Sequence, residues 1–209
     1  MLNNYKAIGI VLIFFDALSH PALADNFYGA LDIGATTAME ACKNLAPQIG
    51  ECDGTVKSLR VGGGYQFTPE WGIELSYAKS DQQSAGMILG TSVFWQVSGL
   101  QLSAIRTFPL VVPSAFRDWL ISANVWDADS IGKFSVLAKL GIARTELKLS
   151  EGVSASAISN NTAYGIGIQY DYNKIYSARI QYEYLGLVGD INTGTSRVTL
   201  TSAGLVYKF

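Results

Sequence analysis

Six ionisable residues are placed where they could act together: Asp32, Glu74 and Glu183 against Arg60, Lys139 and Arg179. Each sits on the polar parity of a segment that alternates apolar and polar residues, so all six are expected on one side of a pleated sheet. Three acids with three bases make a balanced set, and in a narrow interior an unpaired charge costs several kcal/mol unless water reaches it. The expected chemistry is therefore a buried ion-pair network, structural first and a gate second, with Glu74 paired to Lys139 or to Arg179. Catalysis is not expected. The serines have no imidazole to activate them, because the only histidine, His20, lies in an N-terminal segment with the marks of a cleaved leader. Gly62-Gly63-Gly64 falls mid-strand with no helix after it and does not read as a phosphate cradle. Two thiols without a histidine make a poor metal site, so no metal or other cofactor is expected.

The leader is Met1 to Ala24: a polar start with Lys6, an apolar run from Ala7 to Phe15, and Pro21-Ala22-Leu23-Ala24 before Asp25. The run is broken at Asp16 and is too short for a membrane helix, so a cleaved export signal over 1–24 and one domain over 25–209 are expected. An exported chain meets an oxidising compartment. Cys42 and Cys52, in a segment rich in turn formers, are then expected to form a disulfide worth roughly 2–3 kcal/mol. With 15 Lys and Arg against 17 Asp and Glu, no basic field points to nucleic acid.

The exported part has no second apolar run long enough for a membrane helix, yet almost half of the residues are apolar. A closed sheet resolves that conflict, because in hydrocarbon every backbone N–H and C=O must be satisfied within the protein. Period-two segments fall at about 27–36, 56–67, 71–79, 95–108, 133–149, 162–172, 175–185 and 195–209. The reading is an all-β, eight-stranded antiparallel transmembrane up-and-down barrel. In the fourth segment the apolar parity changes, from Val93, Trp95 and Val97 to Leu100, Leu102 and Ala104, and a bulge near Ser98-Gly99 is expected. Short turns at 68–70 and 173–174 mark the periplasmic end. Segments 37–55, 80–94, 150–161 and 186–194 are expected as external loops. The 109–132 connection is too long for a periplasmic turn and has the spacing of a short amphipathic helix or of an extra strand.

The last residues, Ser202 to Phe209, resemble the terminal assembly signal of outer-membrane barrels, with Gly204, Tyr207 and Phe209 at the marked positions. Further stretches, 67–77, 134–145, and 164–172 with 177–184, resemble the OmpA-like transmembrane barrel family over essentially Asp25 to Phe209. The resemblance implies a protein of the cell outer membrane of a Gram-negative bacterium, with the family's luminal ion pairs at Glu74, Lys139 and Arg179. The long 109–132 connection departs from the family pattern, and so does the ending at Phe209, where no peptidoglycan-binding domain is expected to follow. The expected role is a monomeric structural and surface-interaction barrel with a plugged lumen; the alternative is a small, porin-like diffusion channel. Expected partners are outer-membrane lipid and lipopolysaccharide, the barrel assembly machinery during insertion, and a host or surface ligand at the external loops.

Overall fold

A computed structural model describes residues 26–38, 54–88, 91–110, 133–151, 153–190 and 194–209. The leader, both cysteines and residues 111–132 of the long connection lie outside the described residues. Nine strands are found within them: β1 (Phe27–Ala38), β2 (Thr55–Gln66), β3 (Trp71–Ser80), β4 (Gln83–Ile88), β5 (Thr91–Pro109), β6 (Phe134–Glu151), β7 (Val153–Asp171), β8 (Tyr176–Asp190) and β9 (Gly194–Lys208). Consecutive strands pair antiparallel except β3 and β4, which are successive parts of one barrel strand along β5. β1 pairs with β9 from Tyr28↔Lys208 to Ala38↔Val198, which closes an eight-stranded ring.

The lipid-facing parity is apolar. Leu31, Ile33, Leu59, Val61, Ile73, Leu75, Leu140, Ile142 and Leu205 are all exposed, and Ile166, Ile168 and Ile180 ring the exterior at 59%, 52% and 63% exposure. Aromatic residues flank this band. Phe67, Trp71, Tyr176, Tyr207 and Phe209 lie toward the short turns, and Tyr77, Tyr164 and Tyr182 lie toward the other end. The short turns are fixed by side-chain acceptors. Thr68 Oγ1 accepts from Trp71 N at 3.0 Å, and Asn173 Oδ1 accepts from Ile175 N at 2.8 Å and Tyr176 N at 2.7 Å.

Two expectations are corrected. Segments 80–94, 150–161 and 186–194 are not loops in the main. β6 runs to Glu151 and β7 restarts at Val153, β4 and β5 make a hairpin, and β8 and β9 continue to Asp190 and from Gly194. Strands of 18 and 19 residues are roughly 60 Å long, and even at a tilt of about 40° they overreach the roughly 25 Å apolar band. The barrel therefore continues well past the membrane at its hairpin end.

The second correction concerns Ser98-Gly99, where β5 has no bulge: its pairing with β6 is unbroken from Phe94↔Ser150 to Pro109↔Ser135. The irregularity lies across from it. Four steps from Lys79 to Gln83 face three steps from Ser98 to Trp95, so the extra residue is at Asp81-Gln82. The change of apolar parity in β5 is chemical, not geometric. Leu100 and Leu102 face lipid, whereas Trp95 and Val97, farther along the same strand, face inward at 1% and 3% exposure.

They belong to an apolar core inside the hairpin end, with Ala38, Val56, Ala143, Leu147, Ala163, Leu185, Val188, Val198 and Leu200. Above the band the exterior meets water, so the ordinary rule of apolar inside returns. Further irregularities lie between Ser84 and Gly86 of β4 and between Tyr184 and Gly186 of β8, the latter where this core begins.

Candidate functional site: a closed ring of ion pairs in the lumen

Below the apolar core the interior parity is polar and small. β1 supplies Asp32, β2 Arg60, β3 Glu74, β6 Lys139, and β8 both Arg179 and Glu183; each is at most 5% exposed. Arg179 holds Asp32 with two donors, Nε to Oδ1 at 3.0 Å and Nη2 to Oδ2 at 2.9 Å. Its Nη1 donates to Glu74 Oε2 at 2.6 Å. Lys139 Nζ donates to Glu74 Oε1 at 2.7 Å and lies 3.0 Å from Glu183 Oε1. The second of these is an ion contact that lacks hydrogen-bond alignment. Arg60 Nη1 pairs with Glu183 Oε2, and Arg60 Nε donates to Asp32 Oδ2 at 2.9 Å.

These contacts close on themselves. From Asp32 through Arg60, Glu183, Lys139, Glu74 and Arg179 back to Asp32, acid and base alternate, and every charge touches two of the opposite sign. The ring is neutral. In a low-dielectric interior such mutual pairing and hydrogen bonding offset the cost of taking six charges out of water. Glu74, expected to pair with Lys139 or with Arg179, bridges both.

Some contributors escaped the sequence reading. Tyr28 OH donates to Glu74 Oε2 at 3.2 Å, and Gln181 Nε2 donates to Asp32 Oδ1 at 3.3 Å. Two glycines make the room. Gly204 lies between Asp32 and Arg179 in register, and Gly165 lies between Lys139 and Glu183. A Cβ at Gly204 would strike the Asp32 carboxylate, and one at Gly165 would come within 2.5 Å of Glu183 Cγ. The signal that could have found them is cross-strand register: a glycine flanked on both sides by charges of opposite sign.

The remaining sequence candidates lie elsewhere. Tyr207 and Phe209 point outward, with ring centroids 4.8 Å apart, and Phe209 N donates to Phe27 O at 3.0 Å beside the closing seam. Cys42 and Cys52 are outside the described residues. No group of three or more His, Cys, Asp or Glu among the described residues could hold a metal ion.

The apolar core stands directly above the ring. Leu200 pairs with Thr36 on one side and with Glu183 of the ring on the other, so the two layers touch. The arrangement can brace eight strands against each other from within, and it fills the interior in two layers, one of charge and one of hydrocarbon.

Comparison with known proteins gives this architecture its relatives. Residues 10–209 match the family described as "Outer membrane protein beta-barrel domain". Outer membrane protein A of Serratia marcescens is 28% identical over 151 residues, 70% of this chain. The match takes in 37% of that relative, so the chain corresponds to little more than a third of its length. Among solved structures, Neisserial surface protein A superposes with a TM-score of 0.54 at 16% identity, covering 88% of this chain and 97% of that one. The N-terminal β-barrel domain of Pseudomonas aeruginosa OprF gives 0.52 at 12% identity, with 88% and 98% covered. Ail, the attachment invasion locus protein of Yersinia pestis, gives 0.50 at 16% identity, with 88% and 99% covered. At these identities the structures share the fold. The closed ring of strands, the apolar exterior and the match over residues 10–209 place this chain in the outer membrane protein beta-barrel domain family, a protein of the cell outer membrane.

Proposed function

We propose that this barrel is a structural and surface-interaction protein of the outer membrane, monomeric and without enzymatic activity, its short turns in the periplasm and its hairpin end outward. The observation that carries this reading is the doubly filled lumen. A neutral ring of six charges with an apolar core above it is built to hold strands together, not to pass solute. The hairpin end supports the surface role. Its strands continue past the apolar band as a rigid platform, on which outward side chains such as Lys148 and Asn160 face water. Ail, which shares the fold, has been solved with the heparin analogue sucrose octasulfate, a precedent for a surface ligand on such a barrel. On this reading lipid and the barrel assembly machinery are its partners during insertion, and a surface ligand is its partner afterwards.

Planar-bilayer recording with purified, folded protein tests it. Silence across the voltage range is expected. Steady openings that change with Glu74 or Arg179 substitution would replace the proposal by the small diffusion channel. Mass spectrometry of lipid A from cells with and without the protein is expected to give identical spectra; a modified lipid would assign an enzyme.

A further inference from the structure

We infer that the exterior of β2 and β3 carries a binding site for a phosphorylated, multiply acylated glycolipid of the lipopolysaccharide class, with Lys57 and Lys79 on its phosphates. The inference rests on the outward orientation of the hairpin end proposed above. An open groove of about 1220 Å³ runs along this face, with Ile33, Leu59, Val61 and Tyr77 as its apolar wall and Lys57 and Lys79 at its hairpin end. Leu59 is the cross-strand partner of Lys79, and Asp81 N donates to Lys57 O at 2.8 Å. The two lysines are therefore diagonal neighbours on adjacent strands, with Cα atoms roughly 7–8 Å apart.

Their height is set by the strands. Lys79 follows the girdle residue Trp71 by eight residues, and Lys57 precedes Phe67 by ten. At about 3.3 Å per residue and a tilt of about 40°, both lie roughly 20–25 Å from the short-turn girdle, at the far edge of the apolar band. That is where lipid headgroups sit. Two like charges side by side on a sheet repel each other unless an anion lies between them. Of the other exterior cations, Lys148 is 3.3 Å from Glu146, Arg106 lies over the Trp71 and Phe108 rings, and Arg144 stands singly on β6, so Lys57 and Lys79 are the pair left side by side. Lys57 and Lys79 have no ion-pair partner among the described residues, and Asp81, which also lines the groove, pairs with neither. Two separated ammonium groups above an apolar wall fit a headgroup that carries two phosphates and several acyl chains better than one with a single phosphodiester.

Native mass spectrometry of detergent-purified, folded protein reads this directly. The probes are bisphosphorylated lipid A, the same lipid with its phosphates removed, and phosphatidylglycerol. The wild type is expected to retain the bisphosphorylated lipid roughly 10- to 30-fold better than the dephosphorylated one. The double variant K57Q/K79Q is expected to lose that preference, and K174Q, at a short turn, to keep it. Equal retention with and without phosphates, an unchanged preference in K57Q/K79Q, or phosphatidylglycerol held as well as lipid A would each overturn the inference. Orientation is read separately, by antibody binding on intact cells to an epitope inserted after Glu151. Surface labelling without a lipid A preference defeats this inference alone; absence of labelling defeats the orientation beneath it.

Discussion

Glu74 ties three side chains of the interior together, since it accepts from Lys139, Arg179 and Tyr28 at once. Replacing it by Gln leaves a buried ammonium and a buried guanidinium each one partner short. The expected loss of stability is about 3–5 kcal/mol, read from urea unfolding in lipid vesicles. Pairing Glu74→Gln with Lys139→Met restores neutrality and is expected to recover much of that loss. Gly204 gives a sharper steric test. Gly204→Val drives a branched side chain into the Asp32 carboxylate and is expected to abolish folding into vesicles, whereas Gly29→Ala, which meets nothing within 4 Å, is expected to leave the folded yield unchanged. The charges themselves were legible from parity alone, because charge on the polar side of a membrane strand has nowhere else to go. Their pairing order was not, since it depends on shear and register, which one strand read at a time does not contain.

Among the elements, β5 shows where sequence reading succeeds and where it stops. Its lower half alternates as a membrane strand should, with Leu100 and Leu102 exposed to lipid and Gln101 and Ser103 inside. Its upper half keeps the same geometry in a different solvent, so the buried residues become Trp95 and Val97. A reader who assumes one environment must invent a bulge to reconcile the halves. The same assumption turned the upper parts of β7 and β8 into loops, because Ala157 and Val188 facing inward do not resemble a lipid-facing pattern. The upper core should behave as a soluble one. Trp95→Ala is expected to cost about 3–5 kcal/mol by cavity formation. In hydrogen exchange it should speed the amides of β5 and β6 around Trp95 and Leu149 and leave those around Lys139 and Glu74 protected.

For the whole molecule, the two layers in the bore make a joint prediction. Opening the ring alone leaves Leu200, Val198 and Trp95 in place, so Glu74→Gln by itself is expected to stay silent in planar bilayers. Glu74→Gln combined with Trp95→Ala and Leu200→Ala is expected to conduct. A conducting single variant would show that the apolar layer does not seal. Ring closure also predicts that unheated protein migrates faster on a denaturing gel than boiled protein, because the intact barrel stays compact in detergent.

The position of Gly204 has a consequence for how such a molecule comes to exist. Asp32 is on β1, Arg179 is on β8, and β9 lies between them, so the two-pronged grip of arginine on carboxylate reaches across the strand that completes the circle. Until β9 slides into its slot, Asp32 keeps only Arg60 on the adjacent β2 and Arg179 lacks its carboxylate, so a half-zipped sheet would bring naked charge toward oil. The latch engages only as the gap disappears. Asp32→Asn should therefore slow the final insertion step more than the earlier collapse onto the bilayer, and a partly wrapped intermediate is discouraged by the same atoms that lock the finished article.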